Sequence, residues 1–213
     1  MRFVSPPRLL RLLSPSDLIW SFPQEPKRIF LTFDDGPHPE ITPAIMDILR
    51  SFDARATFFC LGKNAAAFPE IVKDLTNQGH QVGNHTFSHL NGWKTPAEIY
   101  VKDYQQAGLF LPGGLFRPPY GKITPAQVRL LKNHERIIMW SLLSYDFDRT
   151  FSEKTILHNL IARMHHGAII VFHDNEKSAP RCLKVLPQLL DYYKQLGYEF
   201  CNIKKLDMFA ERA

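Results

Sequence analysis

The chain has 213 residues, 45% of them hydrophobic, and a formal net charge of +5. That length supports a substantial core in a single domain. Lysines and arginines are scattered rather than gathered into runs interleaved with aromatics, which argues against a nucleic-acid interface and leaves only the mild long-range attraction of ordinary soluble proteins.

At the start of the chain, Arg2, Arg8 and Arg11 stand among leucines. Arg8-Leu9-Leu10-Arg11-Leu12-Leu13 is shorter than the apolar core of a secretory signal, roughly 7 to 15 residues, and nothing further on has the length of a membrane span. The cytoplasm is therefore the default compartment, with the cell envelope left open. The Arg-Leu-Leu repeat could form a short basic helix that touches a lipid surface, although packing on its own domain is the favoured expectation. Residues 1–27 read as an N-terminal extension, 28–206 as the domain proper and 207–213 as a tail.

From Arg28 onward, short apolar runs alternate with helical patterns, the signature of β/α units around a largely parallel sheet or barrel. Strands are predicted over Ile29–Phe33, Ala56–Leu61, Ile137–Trp140 and Ala168–Phe172 from their β-branched and aromatic content. Three helix starts open with Thr-Pro, at Thr42, Thr95 and Thr124, where threonine can cap and proline fills the first turn. Glu98 and Gln127 stand at the third position that a reciprocal capping box requires. Ile45, Ile48, Leu49 and Phe52 recur at helical spacing as a core-facing stripe. Further helices are expected over Pro69–Asn77, Ser152–Met164 and Arg181–Leu196, with Gly79 and Gly197 closing two of them. Cys60, Cys182 and Cys201 form no close pair, and Cys60 lies in a strand-like run where a buried free thiol is expected.

Asp34 and Asp35 follow the first long strand and precede Gly36-Pro37, at the sheet end where β/α proteins assemble their sites. Adjacent side chains diverge at a strand end, so the two carboxylates can do different work. His85 and His89 are four residues apart, stacked on one face if that stretch is helical, and with Asp35 they make a three-ligand set that leaves room for water. Zinc suits such a set, with Co2+, Ni2+ and Mn2+ as further candidates. Three later stretches end apparent strands: Arg117-Pro118-Pro119-Tyr120-Gly121, Trp140 through Asp146-Phe147, and Val171-Phe172-His173-Asp174.

Taken in order, Thr32-Phe33-Asp34-Asp35-Gly36-Pro37, His85-Thr86-Phe87-Ser88-His89, Arg117-Pro118-Pro119-Tyr120, Asp146-Phe147 and Val171-Phe172-His173 resemble the five motifs of the polysaccharide deacetylases, carbohydrate esterase family 4. The resemblance runs from about Arg28 to Leu206. It implies an α/β fold, a distorted (β/α) barrel with fewer than eight regular strands. It implies a metal-dependent hydrolase that removes N-acetyl groups from N-acetylglucosamine units of peptidoglycan or chitin-like oligomers. Asp34 would be the general base, Asp35, His85 and His89 the metal ligands, and His173 the general acid. Asp146 would hold His173 and raise its pKa, Arg117 would orient Asp34, and the Tyr120 backbone N–H would face the oxyanion.

Three positions depart from the family pattern: Leu143 stands where an aspartate is common, Phe147 where tryptophan is usual and Val171 where leucine is usual. These changes bear on the shape of the acetyl pocket and on substrate preference. An O-acetyl esterase acting on xylan-like sugars, or a carbohydrate-binding protein without turnover, are the alternative implications.

Overall fold

The computed structural model describes residues 4–204, so the tail expected over 207–213 lies outside the described residues. A curled parallel sheet forms the centre. Its long members are β2 (Arg28–Asp34), β3 (Ala56–Cys60), β4 (Gln81–Asn84), β5 (Gly114–Phe116), β6 (Glu135–Ile138) and β8 (Ala168–His173). Together with the two-residue strands β1 (Leu18–Ile19) and β7 (Leu142–Leu143) they lie in the order β1-β6-β5-β4-β3-β2-β8-β7, and β9 (Glu199–Phe200) pairs with β2. With six strands longer than two residues among the described residues, this is the distorted α/β barrel expected.

Burial explains which strands were easy to recognise. In β2 six of seven residues are buried and in β3 all five, because helices cover the outer face while the barrel interior fills the other. Phe33 stacks between Phe58 and Phe172, joining β2 to both neighbours. The less legible β4 carries Gly83, where a Cβ would lie 2.7 Å from the Phe59 ring. A larger, more strand-like residue has no room there.

Helices α4 (Pro69–Asn77) and α7 (Glu153–Arg163) match their expected spans closely, and Ser152 caps α7 by accepting from the Thr155 amide. Gly79 and Gly197 take positive φ values of 80° and 75°, as helix exits require. The Thr-Pro signals divide. Thr124 forms the full capping box with Gln127 at the start of α6 (Pro125–Leu131). Thr42 instead lies inside α2 (Ile41–Ser51), its hydroxyl accepting from His38 and donating to Asp174. Thr95 sits two residues ahead of α5 (Ala97–Ala107), its hydroxyl spent on the Asn91 carbonyl. Neither threonine stands at the N-cap of its helix, which is Glu40 for α2 and Pro96 for α5, so neither oxygen meets the free amides of the first turn. Helix α8 (Ala179–Gln195) starts two residues before Arg181 and tolerates Pro187 in its interior.

The segment before Arg28 is threaded into the sheet. β1 pairs with Ile137 and Ile138 of β6, Met139 donates to the Ile19 carbonyl, and the Phe22 amide donates to the Gly167 carbonyl beside β8. Residues 18–22 thus fill the seam between β6 and β8. Gly167 permits this contact: its φ is +68°, and a Cβ there would lie 1.7 Å from the Phe22 carbonyl oxygen. Residues 139–141 cross the seam on their way to β7, held by Ser141 to Ile169, and Leu143 donates to the carbonyl of Val4. The short helix α1 (Arg8–Leu13) exposes Leu9, Leu12 and Leu13 at 66%, 80% and 77%. No helix among the described residues is long and apolar enough to cross a membrane.

Candidate active site

The carboxyl ends of the parallel strands all open on one side of the barrel, and the candidate residues gather there. Asp34 closes β2 and Asp35 follows with φ of 84°. The next turn is clamped from β8: Asp174 accepts from the Gly36 amide at 2.8 Å and from the Thr42 hydroxyl at 2.6 Å. A Cβ on Gly36 would lie 1.9 Å from that carboxylate, so no other residue fits without moving it.

The two neighbouring aspartates turn to different partners. Asp34 Oδ1 accepts from Arg117 Nη1 at 2.8 Å. Arg117 is fully buried and also donates to the Thr32 hydroxyl and to the carbonyls of Ile138 and Met139, while its guanidinium lies 4.2 Å from the centre of the Phe59 ring. Burial lowers its pKa, and the Asp34 carboxylate opposes that shift. Asp35 faces the imidazoles, with Oδ1 3.2 Å from His89 Nε2 and 3.7 Å from His85 Nε2. Its Oδ2 accepts from Asn175, and its backbone carbonyl accepts from Asn64.

The histidine pair does not sit on a helix, contrary to the stacked arrangement that its spacing suggested. His85 leaves the end of β4, and Thr86 and His89 adopt φ of 66° and 65°. Side chains supply the hydrogen bonds that a helix would have supplied from its backbone. Asp103 on α5 accepts from the amides of Phe87 and Ser88 and from the Ser88 hydroxyl; Asn84 accepts from Thr86 N, and Thr86 Oγ1 from His89 N. This bent loop still brings both rings to Asp35.

His85 Nδ1 lies 2.8 Å from the Arg117 carbonyl oxygen, which can only accept, so Nδ1 carries the hydrogen and Nε2 presents its lone pair. His89 Nδ1 is likewise engaged, 3.1 Å from the Tyr120 hydroxyl. One donor atom each from Asp35, His85 and His89 falls within 4.8 Å of the others, a spacing that fits one divalent cation. Burial and the neighbouring His85 hold His89 down to about 4. Burial opposes ionisation of Asp35, yet His173, His85, His89 and the Asn175 hydrogen bond outweigh it and hold its carboxyl below the ordinary value. At neutral pH the set therefore offers a neutral His89 and an ionised Asp35, the protonation states a metal needs.

On the strand beside Asp34, His173 ends β8 in register with it. The buried Asp146 grips it twice, through Oδ1 to ring Nδ1 and through Oδ2 to the backbone N–H, both at 2.8 Å. Arg181 fixes the Asp146 carbonyl at 2.6 Å. Burial disfavours the imidazolium, but Asp146, Asp35 and Asp34 prevail and raise His173 to about 9.

These groups open on a cleft of about 540 Å3 whose walls include Tyr120, Leu143, Phe147 and Val171, with Asp34, Asp35 and the three histidines on its floor. Arg117 and Asp146 stand behind it, touching the functional side chains rather than the space. Sequence reasoning had missed Asn64, Asp103, Asn175 and Arg181. Only Asn175 carried a signal, as a polar residue two places beyond the strand-end His173.

Comparison with known proteins bears directly on this geometry. The model of the family described as Polysaccharide deacetylase matches residues 22–136. The chain belongs to the polysaccharide deacetylase family. This deacetylase-family chain is 30% identical over 208 residues to a peptidoglycan-N-acetylglucosamine deacetylase of Bacillus cereus, covering 93% of this chain and 97% of that one. It is also similar to the crystal structure of the Bc1960 peptidoglycan N-acetylglucosamine deacetylase in complex with 4-naphthalen-1-yl-N-oxidanyl-benzamide. That likeness has a TM-score of 0.82 and 31% identity, over 88% of this chain and 91% of the other. A CE4 family pseudoenzyme from Bacillus anthracis has a TM-score of 0.79 at 25% identity, covering 93% of this chain and 72% of that one. Fold alone therefore does not separate turnover from its absence within the family; the side chains must.

Proposed function

We propose that this family member is a metal-dependent hydrolase that removes N-acetyl groups from N-acetylglucosamine units of peptidoglycan or chitin-like chains. One observation carries the reading: an aspartate held by a buried arginine, a two-histidine, one-carboxylate donor set and a histidine held by a buried aspartate all face one cleft. The names of the Bacillus cereus relative and of the Bc1960 structure support the amino-sugar substrate.

Asp35, His85 and His89 would hold the cation, with Zn2+ favoured over Co2+, Ni2+ or Mn2+. When bound there, a divalent metal acidifies water and polarises a carbonyl. Asp34, oriented by Arg117, takes a proton from the attacking water as its oxygen bonds to the acetyl carbonyl carbon. The Tyr120 backbone N–H donates to the oxyanion that forms. His173 then gives its Nε2 proton to the sugar nitrogen as the C–N bond breaks, leaving acetate and a free amine. Val171 and Phe147 give the acetyl methyl group an apolar wall.

The reading is tested by acetate release from peptidoglycan and N-acetylglucosamine oligomers, using protein stripped with a chelator and then reloaded. Activity should vanish with the metal and return with Zn2+; release of no acetate from any acetylated sugar would refute it.

A pH dependence follows from His173. Raised to about 9, it is protonated and able to donate at neutral pH, and activity should fall as pH climbs through that range. Asp146→Asn removes the largest influence holding the pKa up, while burial continues to push it down. The alkaline limb of kcat against pH is thus expected at lower pH in the variant. An unmoved limb would show that another group governs it.

A further inference from the structure

Each imidazole of the donor set has a group behind it that fixes the ring: the Arg117 carbonyl for His85 and the Tyr120 hydroxyl for His89. Asp35 has a partner of the same kind. Asn175, in the turn between β8 and α8, donates from Nδ2 to Asp35 Oδ2 at 2.8 Å. The direction of that amide is decided at its other end, where Oδ1 lies 3.0 Å from the Ser178 backbone nitrogen, whose N–H can only donate. The nitrogen of Asn175 therefore faces Asp35.

This contact divides the two oxygens of the carboxylate. Oδ1 lies 3.2 Å from His89 Nε2 and 3.7 Å from His85 Nε2, whereas Oδ2 is engaged by Asn175. A carboxylate free to turn can give both oxygens to one cation; pinned on one side by an amide, it presents the other. The backbone beneath is held as firmly. Asp35 has φ of 84°, a conformation that a residue other than glycine keeps only where its surroundings impose it. Its carbonyl accepts from the Asn64 side chain and its amide donates to the Phe59 carbonyl, so Asn64 sets the main chain while Asn175 sets the carboxylate. Asn175 has little freedom of its own. Its carbonyl accepts from the Ser178 and Ala179 amides, and the preceding Asp174 is locked onto Gly36 and Thr42. One side-chain hydrogen bond thus ties the start of a 17-residue helix to a member of the donor set.

We propose that Asn175 is a positioning residue of the metal site: its amide holds Asp35 so that Oδ1 alone is offered to the cation, which keeps room among the three protein ligands for water and the acetyl group. This proposal rests on the metal-dependent reading above for what the cation does, and its test needs no turnover. Without the amide, Asp35 would have to be ordered at the moment the cation arrives, and affinity would fall accordingly.

Two variants separate this role from that of a helix support. Asn175→Ala removes both the donor to Asp35 and the acceptor at the start of α8. Asn175→Ser keeps an oxygen that can accept from the Ser178 amide, but its hydroxyl is too short to reach Asp35. Zinc titrated calorimetrically into metal-free protein should bind both variants about 10- to 100-fold more weakly than wild type. In the cobalt-loaded proteins the visible absorption bands should weaken in both, because a cation that gains a second carboxylate oxygen has more ligands in a more symmetric field. Zinc affinity of Asn175→Ser within twofold of wild type, or cobalt bands unchanged in both variants, would overturn the proposal. Weakened metal binding in variants of a protein that released no acetate would uphold it while sinking the deacetylase reading, and a wild-type protein that took up neither metal would sink both.

Discussion

Asp34→Asn is expected to lower kcat for acetate release by about 10²- to 10⁴-fold, the range of a lost general base. The amide has the carboxylate's shape, and its oxygen can still accept from Arg117 Nη1, so the substitution removes a proton acceptor and little else. Asp35, His85 and His89 do not depend on it, and the variant should bind one zinc with wild-type affinity by calorimetric titration. Those two measurements belong together. Turnover within a few-fold of wild type would remove Asp34 from the role of base, whereas loss of zinc binding would mean that the variant had disturbed the donor set.

Arg117→Ala should be the most damaging single change to stability. The fully buried guanidinium is the partner of a nearly buried carboxylate and also serves one hydroxyl and two carbonyls. Its removal leaves a buried charge and several acceptors without a donor, which costs about 3–5 kcal/mol. In a chain of this size that corresponds to a Tm lower by about 10 °C, measurable by thermal melting and by urea titration. Lysine should rescue poorly, because one ammonium cannot span acceptors placed around a planar fork. Adding Asp34→Asn to Arg117→Ala should restore part of the loss, since the stranded charge is then gone. A loss below about 1 kcal/mol for Arg117→Ala would place this pair among surface-like ion pairs and contradict its burial.

What was legible in the sequence follows from where information is local. β2, β3 and β8 are buried on both faces and so are spelled in nearly continuous apolar runs, with Thr32 and Thr57 as interruptions. β4 carries polar residues at its ends and a glycine crowded by the Phe59 ring, and β5 is only three residues long, so both escaped notice. The three Thr-Pro starts looked alike, but only Thr124 stands at the N-cap of its helix; Glu40 and Pro96 hold that position in the other two. Of the candidate groups, Asp34, Asp35 and His173 stood out because they end or follow the legible strands β2 and β8, and His85 and His89 because of their spacing. Their supports did not: Asp103 and Arg181 reach the site from helices, and nothing in their own neighbourhoods marks them. The histidine pair was legible as chemistry and misleading as geometry, since spacing of four fits a bent loop as well as a helix.

The threading of residues 18–22 between β6 and β8 also changes what counts as the smallest working unit. A version trimmed to begin at Arg28 would be a cask with one stave pulled. Two strand flanks would be left bare, and bare flanks recruit other chains as readily as they once held Ile19 and Phe22. The stretch from Leu18 to Phe22 therefore belongs to the vessel itself, and a form shortened to Arg28 would be expected to clump before it failed to catalyse.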